Sequence, residues 1–135
     1  MASPTDSTPS NPGPGRILGL GGVFFKSPQH KELSAWYRDT MGIPSDQYGF
    51  KWRSAEDPSK EHLTAWSIFA FTSEYMAPSQ APFMFNYIVD DMDAFLVKLS
   101  AAGVRIDPKR QDEDYGRFAW VFDPDGNKIE LWEPK

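Results

Sequence analysis

The chain of 135 residues contains no cysteine. That removes disulfides, thiolate metal ligands and cysteine nucleophiles together, and it fits a reducing compartment. Histidine is scarce, with His30 and His62 the only two. A basic cluster is missing as well. The nearest approach, Lys109-Arg110, runs at once into Asp112, Glu113 and Asp114, and the net charge is -5. Nucleic-acid binding needs a clustered basic face, so that class of partner is excluded. No apolar run approaches the length of a membrane-spanning helix, and no basic segment followed by an apolar one opens the chain. The expectation is a cytoplasmic protein with neither nucleic-acid nor membrane partners.

Aromatic residues, in contrast, are abundant. Ten Phe, five Trp and five Tyr make up 15% of the chain, more than packing alone requires. Some of them are expected to line a cavity. A single domain is the economical reading of this length.

Residues 1–15 are Ser, Thr, Pro, Gly and Asn with almost nothing apolar, and are read as a disordered tail. The folded domain is expected over 16–135. Ile17 to Phe25 reads as a strand with three glycines, and glycine within a strand marks a bend or a close backbone approach. Ser27-Pro28 offers a helix start, and Leu33, Trp36, Tyr37, Thr40 and Met41 form an apolar stripe that stops at Gly42. Strands over 48–53 and 63–71 follow, separated by a charged loop. The order then recurs. Phe83–Val89 is a strand, Asp90 or Asp91 caps a helix through Met92, Phe95, Leu96 and Leu99, and Gly103 ends it. A short strand over 104–106, an acidic turn and a hairpin of 117–122 and 127–133 complete the chain. Asp123-Pro-Asp-Gly126 supplies the tight turn of that hairpin. Strand, capped helix, glycine stop and further strands thus appear twice, about 60 residues apart. Each unit alone leaves an apolar sheet face exposed, so pairing the two buries it.

Gly22-Val-Phe-Phe25 leading into Leu33-Ser-Ala-Trp-Tyr-Arg-Asp-Thr-Met-Gly42, then Val89-Asp-Asp-Met-Asp-Ala94 with Ala101-Ala-Gly-Val104, and finally Asp123-Pro-Asp-Gly-Asn-Lys-Ile-Glu-Leu131 resemble the vicinal oxygen chelate superfamily, the glyoxalase, bleomycin-resistance and extradiol-dioxygenase relatives. The resemblance spans residues 16 to 135. It implies an α+β fold of two βαβββ modules, about 16–75 and 82–135, forming an incomplete eight-stranded barrel around one cavity. It also implies a homodimer.

Metal-dependent relatives use up to four inward-facing ligands, one on the first strand of each module and one near the end of each. Carried over singly, these fall on Gly22, on Met84, on or near Trp66 or Ser67, and on Glu130. Glycine has no side chain and a thioether suits hard divalent ions poorly, whereas such a site needs about three converging donors. No cofactor is therefore expected. A weak divalent metal held by His62 and Glu130 with a substrate oxygen is the alternative.

Glu130 lies between Ile129 and Leu131, so alternation turns its carboxylate away from the face they share. It is read either as a pocket acid, base or ligand, or as a group satisfied by Asn86, Tyr115 or a backbone amide. On the family register Leu20, Gly22 and Phe24 face inward, with Met84, Asn86 and Ile88 from the partner strand. Phe118, Trp120 and Trp132 come from the final hairpin. The candidate ligand-binding set is Phe24, Trp66, Met84, Asn86, Phe118, Trp120, Glu130 and Trp132, and Glu130 is also the candidate catalytic residue. Trp66 and Trp120 are read as pocket wall or as barrel packing. Three functions stand: a small-molecule-binding protein with a metal-poor aromatic cavity, a metal-dependent lyase, isomerase or epimerase using Glu130, and an interaction module.

Overall fold

The computed structural model describes residues 14–135. The elements in order are β1 (Ile17–Ser27), α1 (His30–Met41), β2 (Gly49–Arg53), β3 (Glu61–Ala70), β4 (Phe83–Val89), α2 (Met92–Ala101), β5 (Arg105–Glu113), β6 (Gly116–Phe122) and β7 (Lys128–Pro134). They form one seven-stranded mixed sheet in the order β2-β3-β1-β4-β7-β6-β5. The sheet ends at β2 and β5 and does not close. The expected architecture of two related α+β units holds, with one difference. The first unit supplies three strands rather than four, because residues 71–82 after β3 form turns.

Register assigns the two faces of the sheet, since directly paired residues share a face. Tyr87, Val89, Ala119, Val121, Ile129 and Leu131 pack under α2 with Met92, Phe95, Leu96 and Leu99. Phe25 and Trp66 meet Tyr37 of α1 on the same side. The opposite face carries Phe24, Met84, Phe118 and Trp120, covered in part by Met76 and Phe69. Strand alternation thus separates a helix-packed core from a face left to form a cavity.

Local chemistry sets the boundaries. Gly42 adopts φ 76° and its N–H donates to Arg38 O at 3.2 Å, ending α1 as its position predicts. Ser27 does not cap α1. It remains in β1, its hydroxyl accepts from Gln29 N–H at 3.1 Å, and the helix starts at His30 without a side-chain cap. Asp91 caps α2 by accepting from Ala94 N–H at 3.1 Å. The acidic turn expected at 112–114 is largely strand, since β5 runs through Glu113 past an irregularity between Ile106 and Arg110.

The tail expected over 1–15 lies outside the described residues as far as position 13. Gly15 is already buried. Asp90 accepts from the N–H groups of Gly15 and Arg16 at 2.9 and 2.7 Å, and Lys98 Nζ donates to Gly15 O at 2.9 Å. Burial pushes the Asp90 carboxyl up, but the backbone donors of Arg16 and Gly15 outweigh it and hold it below its usual range. Its contribution is therefore full above the unfolded aspartate pKa of about 3.9 and is lost as pH falls below that value. Asp90→Ala is expected to cost about 1 kcal/mol near neutral pH, discounted for exposure. Urea titrations of both proteins should show the gap narrowing at about pH 3. An unchanged gap there would mean that the carboxylate's charge is not what holds this anchor.

Candidate functional site

A straight cross-strand row runs through Glu130. Trp120 pairs with Glu130, Glu130 with Asn86, Asn86 with Gly22, Gly22 with Ala65, and Ala65 with Gly49. Its middle members are side-chain-poor, so the row forms a floor with one acid. Glu130 is 4% exposed and Asn86 2%. Asn86 Nδ2 donates to Glu130 Oε1 at 2.8 Å, and Trp120 Nε1 donates to Oε2 at 3.0 Å. The Tyr75 hydroxyl also donates to Oε2. Hydrogen bonds to a buried charged group contribute about 1.5–3 kcal/mol each, so three of them fix this carboxylate firmly.

Tyr75 was not legible in the sequence. It sits in the turns after β3, 55 residues from Glu130, and no local periodicity marks it. Lys128 Nζ ties it down by donating to Tyr75 O at 2.8 Å and Ala77 O at 3.1 Å. Burial, then the negative charge of Glu130, raises the Tyr75 hydroxyl well above the usual tyrosine value, so it remains a donor through mildly alkaline pH.

Above the floor lies a cavity of about 420 Å³ bordered by Gly21, Phe24, Tyr48, Leu63, Ala65, Ser67, Asn86, Tyr115, Phe118, Glu130 and Trp132, among others. Phe118 and Trp132 are stacked with parallel rings, centroids 6.0 Å apart and planes at 6°. Trp132 Nε1 donates to Tyr115 O at 3.3 Å, and Tyr115 meets Phe118 edge-on, which brings Tyr115 to the cavity rim. Arg117, which flanks the same turn, instead pairs with Asp112 and Glu133.

The structure thus brings Phe24, Asn86, Phe118, Glu130 and Trp132 to one cavity. The other sequence candidates stand elsewhere. Met84 is fully buried against Met76 and Trp120, and the residue level with Gly22 and Glu130 is Asn86. Trp120 is likewise interior packing, although its one polar atom holds Glu130. Trp66 borders the cavity, but its ring packs against Phe25 at 5.6 Å and Tyr37 at 5.0 Å on the helix side. Alternation with Ala65 and Ser67 requires this. Leu20 pairs with Tyr87 of the helix face because Gly21 is an extra residue between the Leu20 and Gly22 pairings. The space over Gly22 is filled by the Phe24 ring, into which a Cβ at Gly22 would intrude.

His62 is not brought to Glu130. It stacks on Trp52 at 4.7 Å and 28°, on the strand parity opposite to Leu63 and Ala65. A divalent metal of the kind used across the fold family finds a poor donor set here. The row offers Gly22, Ala65, Asn86 and Glu130, and three neutral donors already occupy the carboxylate. Among the described residues no group of three His, Asp or Glu side chains converges. These residues do not fit such a metal.

Comparison with known proteins agrees with this architecture. No curated protein sequence matches the chain. Among solved structures, methylmalonyl-CoA epimerase from Mycobacterium tuberculosis superposes with a TM-score of 0.62 at 18% identity, covering 90% of this chain and 91% of that one. A Streptomyces coelicolor methylmalonyl-CoA epimerase variant in complex with 2-nitronate-propionyl-CoA gives 0.62 at 14% identity, covering 88% and 99%. A hypothetical protein from Bacillus halodurans gives 0.55 at 12%, covering 86% and 94%. At these identities the likeness establishes the fold. The sequence model of the Glyoxalase/Bleomycin resistance protein/Dioxygenase superfamily matches residues 23–131, from the first strand to the residue after Glu130. With its paired α+β units on one open sheet and the cavity over their shared face, the chain belongs to that superfamily.

Proposed function

We propose that this protein binds a partly apolar small molecule in the cavity above Glu130, without a metal. One observation carries the reading. A buried carboxylate, immobilised by Asn86, Trp120 and Tyr75, stands at the base of an aromatic hollow large enough for a small organic ligand. Apolar walls supply affinity through burial, at roughly 25 cal/mol per Å², and the carboxylate supplies orientation.

Titration of tryptophan fluorescence with a library of aromatic compounds is expected to show saturable quenching by at least one of them. Trp132→Phe should remove most of that signal, because Trp132 is the tryptophan whose ring borders the hollow. No saturable response from any compound would overturn the reading in favour of an interaction module. We also infer a homodimer, so light scattering on the same sample should give twice the 15.3 kDa chain mass. Leu20 and Phe85, both exposed apolar residues in paired strands, support a covered face.

The competing reading is a lyase, isomerase or epimerase with Glu130 as base. It draws on the fold shared with methylmalonyl-CoA epimerases. Three donors on the four lone-pair positions of Glu130 leave one free on Oε1, which favours an anchoring role over proton abstraction.

A further inference from the structure

We infer that the cavity selects organic cations: a flat apolar body carrying an amidinium, guanidinium or ammonium head that docks on Glu130. This rests on the binding reading above and names its ligand class.

The charge inventory of the cavity has one sign. Glu130 is the only charged residue among those bordering it. Among the described residues Glu130 forms no ion pair, although it is almost wholly buried, and its three protein donors are all neutral. A buried carboxylate without a counter-charge carries a desolvation cost that a bound cation would offset. Lys128 offsets only part of that cost: its ammonium feels the charge of Glu130 but forms no ion pair with it. Its ammonium donates to the carbonyls of Tyr75 and Ala77 and lies 5.6 Å from the ring centroids of Tyr75 and Trp120, outside the cavity lining.

Hydrogen-bond polarity points the same way. Asn86 must turn Nδ2 toward the carboxylate, since the reverse orientation would set oxygen against oxygen. Oδ1 is thereby left as a buried acceptor with no partner among the described residues, beside Gly21 at the cavity edge. Oε1 of Glu130 keeps one free lone pair. The base therefore holds two acceptors short of a donor, which a head group rich in N–H donors would satisfy. The walls complete the pattern, because the faces of Phe24, Phe118, Trp132 and Tyr48 attract cations as well as apolar surface. An anionic head would meet the like charge of Glu130 instead. Lys51, Lys60 and Lys135 lie in the adjoining hollow past Leu63 and Trp132, and Lys109 and Lys128 sit against the Trp120 ring, all outside the cavity lining.

The test compares three nearly isosteric probes, 2-naphthamidine, 2-naphthamide and 2-naphthoate, by calorimetry on the intact chain. The amidine is expected to bind at least about ten-fold more tightly than the amide, with the carboxylate weakest, as one charge-assisted hydrogen-bonded pair implies. Glu130→Gln should reduce the amidine preference to about three-fold or less. Equal binding of amidine and amide by the native chain would overturn the cation preference while leaving the binding reading intact. Tightest binding of the carboxylate, or a divalent metal that binds with micromolar affinity and displaces the amidine, would overturn it too. Failure of all three probes, together with silence in the fluorescence titration, would sink both proposals.

Discussion

Glu130→Leu is expected to lower stability by about 2–4 kcal/mol and to abolish selective binding. The loss does not arise from removing a charge, since a buried carboxylate costs free energy by itself. It arises from the donors left behind. Asn86 and Trp120 are each 2% exposed, and an orphaned buried donor costs about 1–3 kcal/mol. Tyr75 is 39% exposed and can turn outward, so its share is small. A double-mutant cycle separates these contributions. Trp120→Phe in the Glu130→Leu background removes one orphan and should recover part of the loss, giving a coupling of about 1 kcal/mol. Additive losses in urea denaturation would show that Trp120 packs beside Glu130 without supporting it.

Gly49→Ala is expected to destabilise by at least about 3 kcal/mol, lowering the melting temperature by about 10 °C. Two effects combine at this position. Gly49 has φ 134°, outside the range that L side chains accept, and a Cβ there would drive into Thr64 O and lie 2.9 Å from Ala65 Cα. Both obstacles are backbone atoms of β3, which cannot rotate away. Gly42→Ala is the control. Its φ is also positive, at 76°, but a Cβ would meet nothing within 4 Å, so its cost should stay near 1 kcal/mol. Equal losses in thermal melts of the two variants would show that conformation alone, and not the close approach of β2 to β3, sets the cost at Gly49. Because Tyr48 borders the cavity, Gly49→Ala should also weaken ligand binding beyond its effect on folding.

Much of the architecture is written locally. The helix over the Leu33 to Met41 stripe, the αL glycine after it, the Asp91 cap and the Asp123 turn each rest on interactions within a few residues, and each forms where the sequence places it, although Trp36 and Met41 of that stripe stay exposed instead of entering the core. The turn is a clear case: Asp123 accepts from the N–H groups of Asp125 and Asn127 at 2.9 Å. Where a strand carries an extra residue, that locality fails. Alternation puts Leu20 on the cavity face, but the bulge at Gly21 reverses its direction, and only pairing with β4 reveals the bulge. The same limit explains Met84 and Asn86. Both lie on the cavity side of β4, and choosing the residue level with Glu130 requires the register between two parallel strands joined by a long crossover.

From the sequence alone came the superfamily, the two-unit plan, the single inward acid and the scarcity of metal donors, because motif spacing, strand parity and residue chemistry are all local properties. Tertiary structure decided what that acid does. Asn86, Trp120 and Tyr75 reach Glu130 across separations of 44, 10 and 55 residues, and no local pattern encodes such convergence. Long-range packing closed the gap between them. It is this packing that turns a lone carboxylate into a fixed anion at the base of an aromatic cavity.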